Sequence, residues 1–453
     1  MTMRAIRLGV LVTVVAAGAP LAAVTPPTVE FTDTRLDNGL RVVISEDHSA
    51  PVFAIAVSYN VGSRDERPGR TGFAHLFEHM MFKGSENVGS GEHFVLIFNN
   101  GGDMNGTTSQ DRTVYYERLP SNQLDLVLFL EADRMRTLAV TAENLDNQRQ
   151  AVKEERRLRV DNQPYGQTYE KILDLAYENF AYEHSTIGSM ADLDAARLED
   201  VTAFFKTYYA PNNAVLAIVG DLDTQATLAR VRKHFGAIRS QPAPPAVDMT
   251  EPAQTAEKRA TIEDRLARLT TVDIVYHQPP ALTPDAEALS VLASVLSSGR
   301  SSRLYRSLVR EAQVAVDVSA AGDNMRGPGL FSVSATVAPG RTTEEVEGAL
   351  YKEIERVKAG PVEDWEIEKA RNGAKRGVVG VLTSTLRRAL SLSEYALFHD
   401  DPGLINSSYA RVEAVTAADL QRVARQYLTV PNRTVVITRP APQAGGPGAG
   451  GAR

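Results

Sequence analysis

The 453-residue chain contains no cysteine. That absence excludes disulfide scaffolds, zinc ribbons and thiol catalysis, and it confines any metal site to His, Asp and Glu. Positive charge is not in excess. Lys and Arg number 49 against 56 Asp and Glu, a net charge of −7, which argues against a dedicated nucleic-acid binder. There is one tryptophan, and beyond the first 23 residues no apolar run approaches the roughly 20 residues of a bilayer span. What remains is ordinary for a globular protein: 43% hydrophobic and 23% charged residues. The length favours two or more domains over one core.

The N-terminus carries Arg4 and Arg7, an apolar run from Leu8 to Ala17, and small residues through Ala23. This is the pattern of a cleaved secretory signal peptide over residues 1–23, with cleavage after Ala22 or Ala23. The mature protein is then expected to be exported, to the periplasm if the source is a Gram-negative bacterium. No stable membrane anchor is expected. Two further stretches lack hydrophobic patterning. Residues 241–255, within the Pro- and Ala-rich run Ser240–Lys258, read as a linker, and residues 441–453 read as a disordered tail.

Two segments of similar size remain, 25–240 and 256–440, and they end alike. The first has Asp200 and Tyr208 eight positions apart, then Pro211-Asn212-Asn213 and a β-branched run Ala214–Val219. The second has Asp419 and Tyr427 eight positions apart, then Pro431-Asn432-Arg433 and Thr434–Thr438. Shared order, spacing and position point to duplication. Within each half, runs such as Phe53–Tyr59 and Gly329–Val337 have strand character, and Leu145–Val160 and Thr343–Lys358 have helical periodicity. The expected fold is α+β: two related halves of about 200 residues, each a mostly antiparallel sheet packed with helices.

The chemistry is concentrated in one segment, Gly72–Phe82, which contains His75-Leu-Phe-Glu78-His79. On a helix, His75 and His79 at i and i+4 project from one face and can share a zinc ion. Glu78 lies beside that face, where it can act as general base toward a zinc-bound water. The other positions are nearly all apolar, so three ionisable groups sit on a buried helix and need partners. Zinc also needs a third protein ligand. The helix over Leu145–Val160 offers two acids. Glu155 shares the face of Val152 and Leu158, and Glu154 lies on the solvated side. Periodicity alone does not decide a ligand role for Glu155. The arginines Arg156, Arg157, Arg159, Arg303 and Arg306 read as solvated helix faces, and the remaining histidines stand isolated.

His-x-x-Glu-His is the inverzincin order. With the duplicated halves, it makes the chain resemble the metallopeptidase family of pitrilysin, insulin-degrading enzyme and the mitochondrial processing peptidase, most of all its single-length bacterial members. The resemblance implies one zinc ion per chain held by His75, His79 and Glu155, with Glu78 catalytic. It also implies a substrate-binding role for Asn105, Gly106, Thr107 and Thr108, in a segment that forms the edge strand of the family's cleft. The family often carries an acid seven positions before the third ligand, where this chain has Gln148. Active relatives also need an Arg and a Tyr seven residues apart in the second half. The matching positions here are Val309 and Val316, on a helix expected to run from Ser301 toward Val316.

The leading expectation is therefore a zinc-dependent endopeptidase for peptides or unfolded segments. It would need a paralogous subunit that supplies the Arg/Tyr pair, in a heterodimer or, as a variant, a homodimer. The alternative is a non-catalytic binding or assembly subunit, which should hold no stoichiometric zinc. A metal hydrolase for a non-peptide substrate is a third reading, and the strand-binding segment weighs against it.

Overall fold

The computed structural model describes residues 26–442. The signal segment and residues 443–453 of the tail lie outside the described residues. Two sheets dominate. The first is built from β1 (Thr32–Arg35), β2 (Arg41–Glu46), β3 (Val52–Tyr59), β4 (Asp103–Thr108), β5 (Thr113–Pro120) and β6 (Ala214–Gly220), in the order β1-β2-β6-β3-β5-β4. The second is built from β7 (Lys258–Asp264), β8 (Thr271–Gln278), β9 (Ala315–Gly322), β10 (Gly329–Val337) and β11 (Arg433–Pro440), in the order β7-β11-β8-β10-β9. From β2 onward the two paths are the same. Each has one parallel pair, β2 with β6 and β7 with β11, and the other pairings are antiparallel. The α+β class and the repeat are therefore both present.

The duplication extends to single hydrogen bonds. Asn213 Nδ2 donates to the carbonyls of Tyr208 (2.9 Å) and Asn60 (3.2 Å), just beyond β3. In the second half Asn432 Nδ2 donates to Tyr427 (2.8 Å) and to His277 (2.9 Å) on β8. In both halves a side-chain amide satisfies the last carbonyls of a helix and ties it to the strand beside the coming one, as buried backbone groups require.

The core of the first half lies between its sheet and helices that include α1 (Phe73–Met80), α2 (Glu92–Asn99), α3 (Leu124–Thr137) and α4 (Ala142–Arg156). β6, Ala-Val-Leu-Ala-Ile-Val-Gly, is buried along its whole length because both faces of the sheet are covered. The second cover comes from the other half. Leu382, Ala389, Leu392 and Ala396, on and before helix Thr385–His399, pack with Ala54, Ala56 and Ala217. In return α5 (Gly166–Ala176) puts Ile172, Leu173 and Ala176 against Val275 and Val436 of the second sheet. Sequence patterning separates the two sheets near residues 240–256, but the helical cover crosses that boundary in both directions.

Residues 239–257 form no helix or strand. They are nevertheless anchored: Asn179 Nδ2 bonds the carbonyls of Asp248 and Thr250, and Glu251 accepts the Glu178 and Asn179 N–H groups. At the other end, Ala441 N still bonds Asp264 O at 2.9 Å, so strand pairing reaches one residue into the segment read as tail. The helix expected to run toward Val316 stops early. Tyr305–Glu311 is a π-helical turn, and Val316 lies on the edge strand β9. Among the described residues no helix is long and apolar enough to cross a membrane.

Candidate metal centre

Helix α1 begins at Gly72, whose φ of +83° no bulky residue adopts easily. A Cβ there would also meet Ile187 O at 2.7 Å. Leu76, Phe77 and Met80 are fully buried, with Phe77 packed on Phe204, Phe205 and Tyr209. These anchors turn the remaining face, which carries His75 and His79, toward α4. The two imidazoles are neighbours, with ring centroids 4.8 Å apart. Nε2 of His79 stands 3.2 Å from Glu155 Oε2, and Nε2 of His75 stands 3.6 Å from the same oxygen.

These three residues form a metal-competent group, their ligand atoms all within 4.8 Å of one another. Two imidazole nitrogens and a carboxylate oxygen suit zinc and leave a fourth position free for water or substrate. Burial, with His79 beside it, pushes the His75 imidazolium down to about 4, so the ring is in the neutral form that binds metal. Nδ1 of the same ring is buried with no hydrogen-bond partner among the described residues. A hydrogen bond from His79 and the nearby His75 hold the Glu155 carboxyl below its usual range. The residues present therefore fit a zinc ion.

Glu155 is further held from its other side. Arg159 Nη1 contacts Glu155 Oε1 at 2.7 Å, leaving Oε2 to face the histidines. Patterning had placed Arg159 on a solvated face and Leu158 on the apolar side. A π-helical turn over Arg157–Asp161 rewinds the end of the helix, so that Leu158 is 57% exposed, while the Arg159 side chain stays on the solvated side as it reaches Glu155. Arg156 is likewise not free, pairing with Glu170 and bonding Gly188 O at 2.6 Å. Nor is Arg303 solvated, since Glu366 receives its guanidinium. Glu154 does lie on the surface, against Arg157. Gln148 is buried and bonds Asn147.

Glu78 sits on α1 beneath β4, the edge strand of the first sheet. Thr108 Oγ1 donates to Glu78 Oε2 at 2.7 Å. Gly106, two residues back on the same face, passes so close that a Cβ there would lie 3.0 Å from Glu78 Cγ. Burial raises the Glu78 carboxyl, partly offset by the Thr108 hydroxyl. Asn105 and Thr107 alternate to the opposite face and are exposed. The four residues expected to bind substrate thus divide: Thr108 and Gly106 address Glu78, Asn105 and Thr107 do not. An edge strand keeps half its backbone groups unpaired along its outer side, which is what strand addition by an extended chain requires.

A second group of ligand-type residues, His93, Glu117 and Glu131, is fully buried. It already holds a cation: the Arg134 guanidinium pairs with Glu131 and lies over the Phe82 and Tyr115 rings.

Comparison with known proteins gives the family. Residues 41–189 match the family described as "Insulinase (Peptidase family M16)", and residues 195–374 match "Peptidase M16 inactive domain". The chain is 30% identical over 408 residues to a protein of Helicobacter pylori named "Zinc protease PqqE", covering 89% of this chain and 92% of that one. The chain belongs to the M16 peptidase family. The helix with the His-x-x-Glu-His motif lies in the part matching the insulinase description, and the part matching the inactive domain has no equivalent motif. A second relative, "Probable mitochondrial-processing peptidase subunit beta" of Arabidopsis thaliana, is 26% identical over 87% of this chain and 76% of its own. The crystal structure of a protease from Helicobacter pylori superposes with a TM-score of 0.87 at 30% identity, covering 91% of this chain and all of that one. The periplasmic protease PqqL of Escherichia coli shares the fold, with a TM-score of 0.74 at 17% identity, and 91% of this M16 chain covers 48% of PqqL.

Proposed function

We propose that this chain is the zinc-bearing subunit of an endopeptidase that hydrolyses peptides or unfolded polypeptide segments. One observation carries the reading: two histidines and a glutamate converge on a common point, with a second glutamate beside them under an edge strand. His75, His79 and Glu155 are the ligands. Zinc bound there would polarise a scissile carbonyl and make a coordinated water acidic. Glu78 is the general base. Its carboxylate, held at Oε2 by the Thr108 hydroxyl, would receive the proton and later return it to the leaving amine. β4 holds the substrate as an added strand through its backbone, and Asn105 to Thr108 set where the chain lies.

The second half supplies no such chemistry. Val309 is partly buried, Val316 is 46% exposed on β9, and neither side chain can donate a hydrogen bond to a developing oxyanion. A paralogous subunit with an Arg/Tyr pair completes the site. A relative named as a subunit and a fold neighbour of about twice the length both support a paired arrangement. The charged and then apolar N-terminus supports export, to the periplasm in a Gram-negative source.

Metal analysis of the wild-type protein and of Glu155→Gln tests the centre. One zinc per chain in the former and its loss in the latter are expected. The same valines favour a second reading, a non-catalytic assembly subunit, for which the wild-type protein would hold no stoichiometric zinc. Full turnover of unfolded peptides by the isolated chain would sink the partner requirement.

A further inference from the structure

Helix α1 is short and poorly capped by its own sequence. It has eight residues, and its N-cap Gly72 offers no side chain to the free N–H groups of the first turn. A carboxylate from outside the helix takes that role. Glu66 Oε2 accepts the Gly72 N–H at 2.8 Å, and Glu66 Oε1 accepts the Ala74 N–H at 2.7 Å. Ala74 is the residue directly before His75. The negative charge also sits at the positive end of the helix dipole.

Glu66 is in turn held by a residue far along the chain. Its side chain is fully buried, and its one cationic partner among the described residues is His184, with Nε2 3.0 Å from Glu66 Oε2. The other nitrogen of that ring, Nδ1, faces the Phe180 carbonyl at 2.9 Å, and the ring stacks on Phe180 with centroids 4.4 Å apart. With an acceptor at each nitrogen, the ring donates in both directions.

The segment that carries His184 also reaches the second ligand helix. Gly188 packs against Gly72, so closely that a Cβ on Gly188 would meet Gly72 Cα at 2.5 Å. The Gly188 carbonyl accepts from Arg156, the neighbour of Glu155 on α4. Thr71 N bonds Asp192 at 3.0 Å, and Arg149 of α4 bonds the Leu193 and Ala196 carbonyls. Residues 184–196 thus hold the start of α1 and the length of α4 from one side.

We propose that Glu66 and His184 are a positioning pair for the zinc centre: they fix the start of α1 against the segment that also holds α4, and so set how His75 and His79 meet Glu155. The inference rests on the zinc reading above. It adds two residues, 9 positions before and 109 positions after His75, that touch neither metal nor substrate.

The test uses the full mature protein and the variants Glu66→Gln and His184→Gln, with zinc and cobalt(II) as probes. Glu66→Gln keeps the shape but leaves one of the two N–H groups without an acceptor. Outer contacts that orient metal ligands typically change affinity 10- to 100-fold. A rise of about that size in the zinc dissociation constant of the folded protein is expected for Glu66→Gln, with a smaller rise for His184→Gln. The visible bands of the cobalt protein, which report ligand geometry without any turnover, should shift and weaken in both. A role in stability alone would lower the unfolding midpoint of the metal-free protein and leave the zinc constant and cobalt bands at wild-type values. That result in either folded variant overturns the pairing. If Glu66→Gln does not fold, His184→Gln decides. A wild-type protein that binds no zinc would instead overturn the metal centre itself.

Discussion

Thr108→Val isolates the contact between the edge strand and Glu78. The substitution nearly conserves volume and leaves the backbone of β4 unchanged, but it removes the hydroxyl that donates to Glu78 Oε2 at 2.7 Å. A hydrogen bond to a charged group contributes about 1.5–3 kcal/mol. Burial already raises the Glu78 carboxyl, and the Thr108 hydroxyl opposes that rise. Without it the carboxylate is both less available as a base and free to swing from its position. If the whole contact acts in the transition state, kcat falls about 10- to 150-fold. The assay follows hydrolysis of an unfolded fluorogenic peptide by whichever subunit assembly turns it over, with zinc content measured on the same samples. Thr108→Ser restores the donor and should stay within a few-fold of wild type. A Thr108→Val protein with full zinc and wild-type kcat would refute the idea that Glu78 acts from this position.

Three further outcomes are expected. Chelation should abolish turnover and lower the unfolding midpoint, and stoichiometric zinc should restore both, since a ligand that binds only the folded state stabilises it by mass action. Asp111→Ala should cost about 3–5 kcal/mol in urea denaturation. That buried carboxylate accepts from Arg64, Tyr182 and the Arg326 N–H of the second half, at 3.0, 2.9 and 2.9 Å. The third concerns pH. Burial alone would lower the His184 pKa, but the Glu66 carboxylate holds it above the usual 6.5. A raised folded value means the stabilisation is complete below pH 6.5 and is lost as pH rises through that value. The stability difference between wild type and His184→Gln, without zinc, should therefore be larger at about pH 6 than at about pH 9.

Much of this was legible in the residues themselves. The i, i+4 spacing of His75 and His79 needs only helical geometry, and the matched Asp–Tyr–Asn spacings revealed the repeat that the two strand orders share. Glu155 was half legible: periodicity put it toward the apolar side, and the family resemblance singled it out. The rest depends on contacts that no local pattern encodes. Patterning gave no sign that helix Thr385–His399 covers the first sheet while α5 covers the second, because an amphipathic face does not name its partner. The π-helical turn at Arg157–Asp161 shifts the phase of its helix partway along, so Leu158 falls where a regular helix would not put it, and the turn at Tyr305–Glu311 ends before Val316, which lies on β9. The Thr108–Glu78 and His184–Glu66 bonds join residues 30 and 118 positions apart. An isolated histidine in sequence gives no hint of such a partner.

The central claim is that zinc is held by His75, His79 and Glu155 and that Glu78 acts on what it activates. Glu78→Gln tests it most directly, with zinc content and peptide turnover measured on one preparation. One zinc per chain with turnover lost is the predicted result. Turnover at the wild-type rate would contradict it.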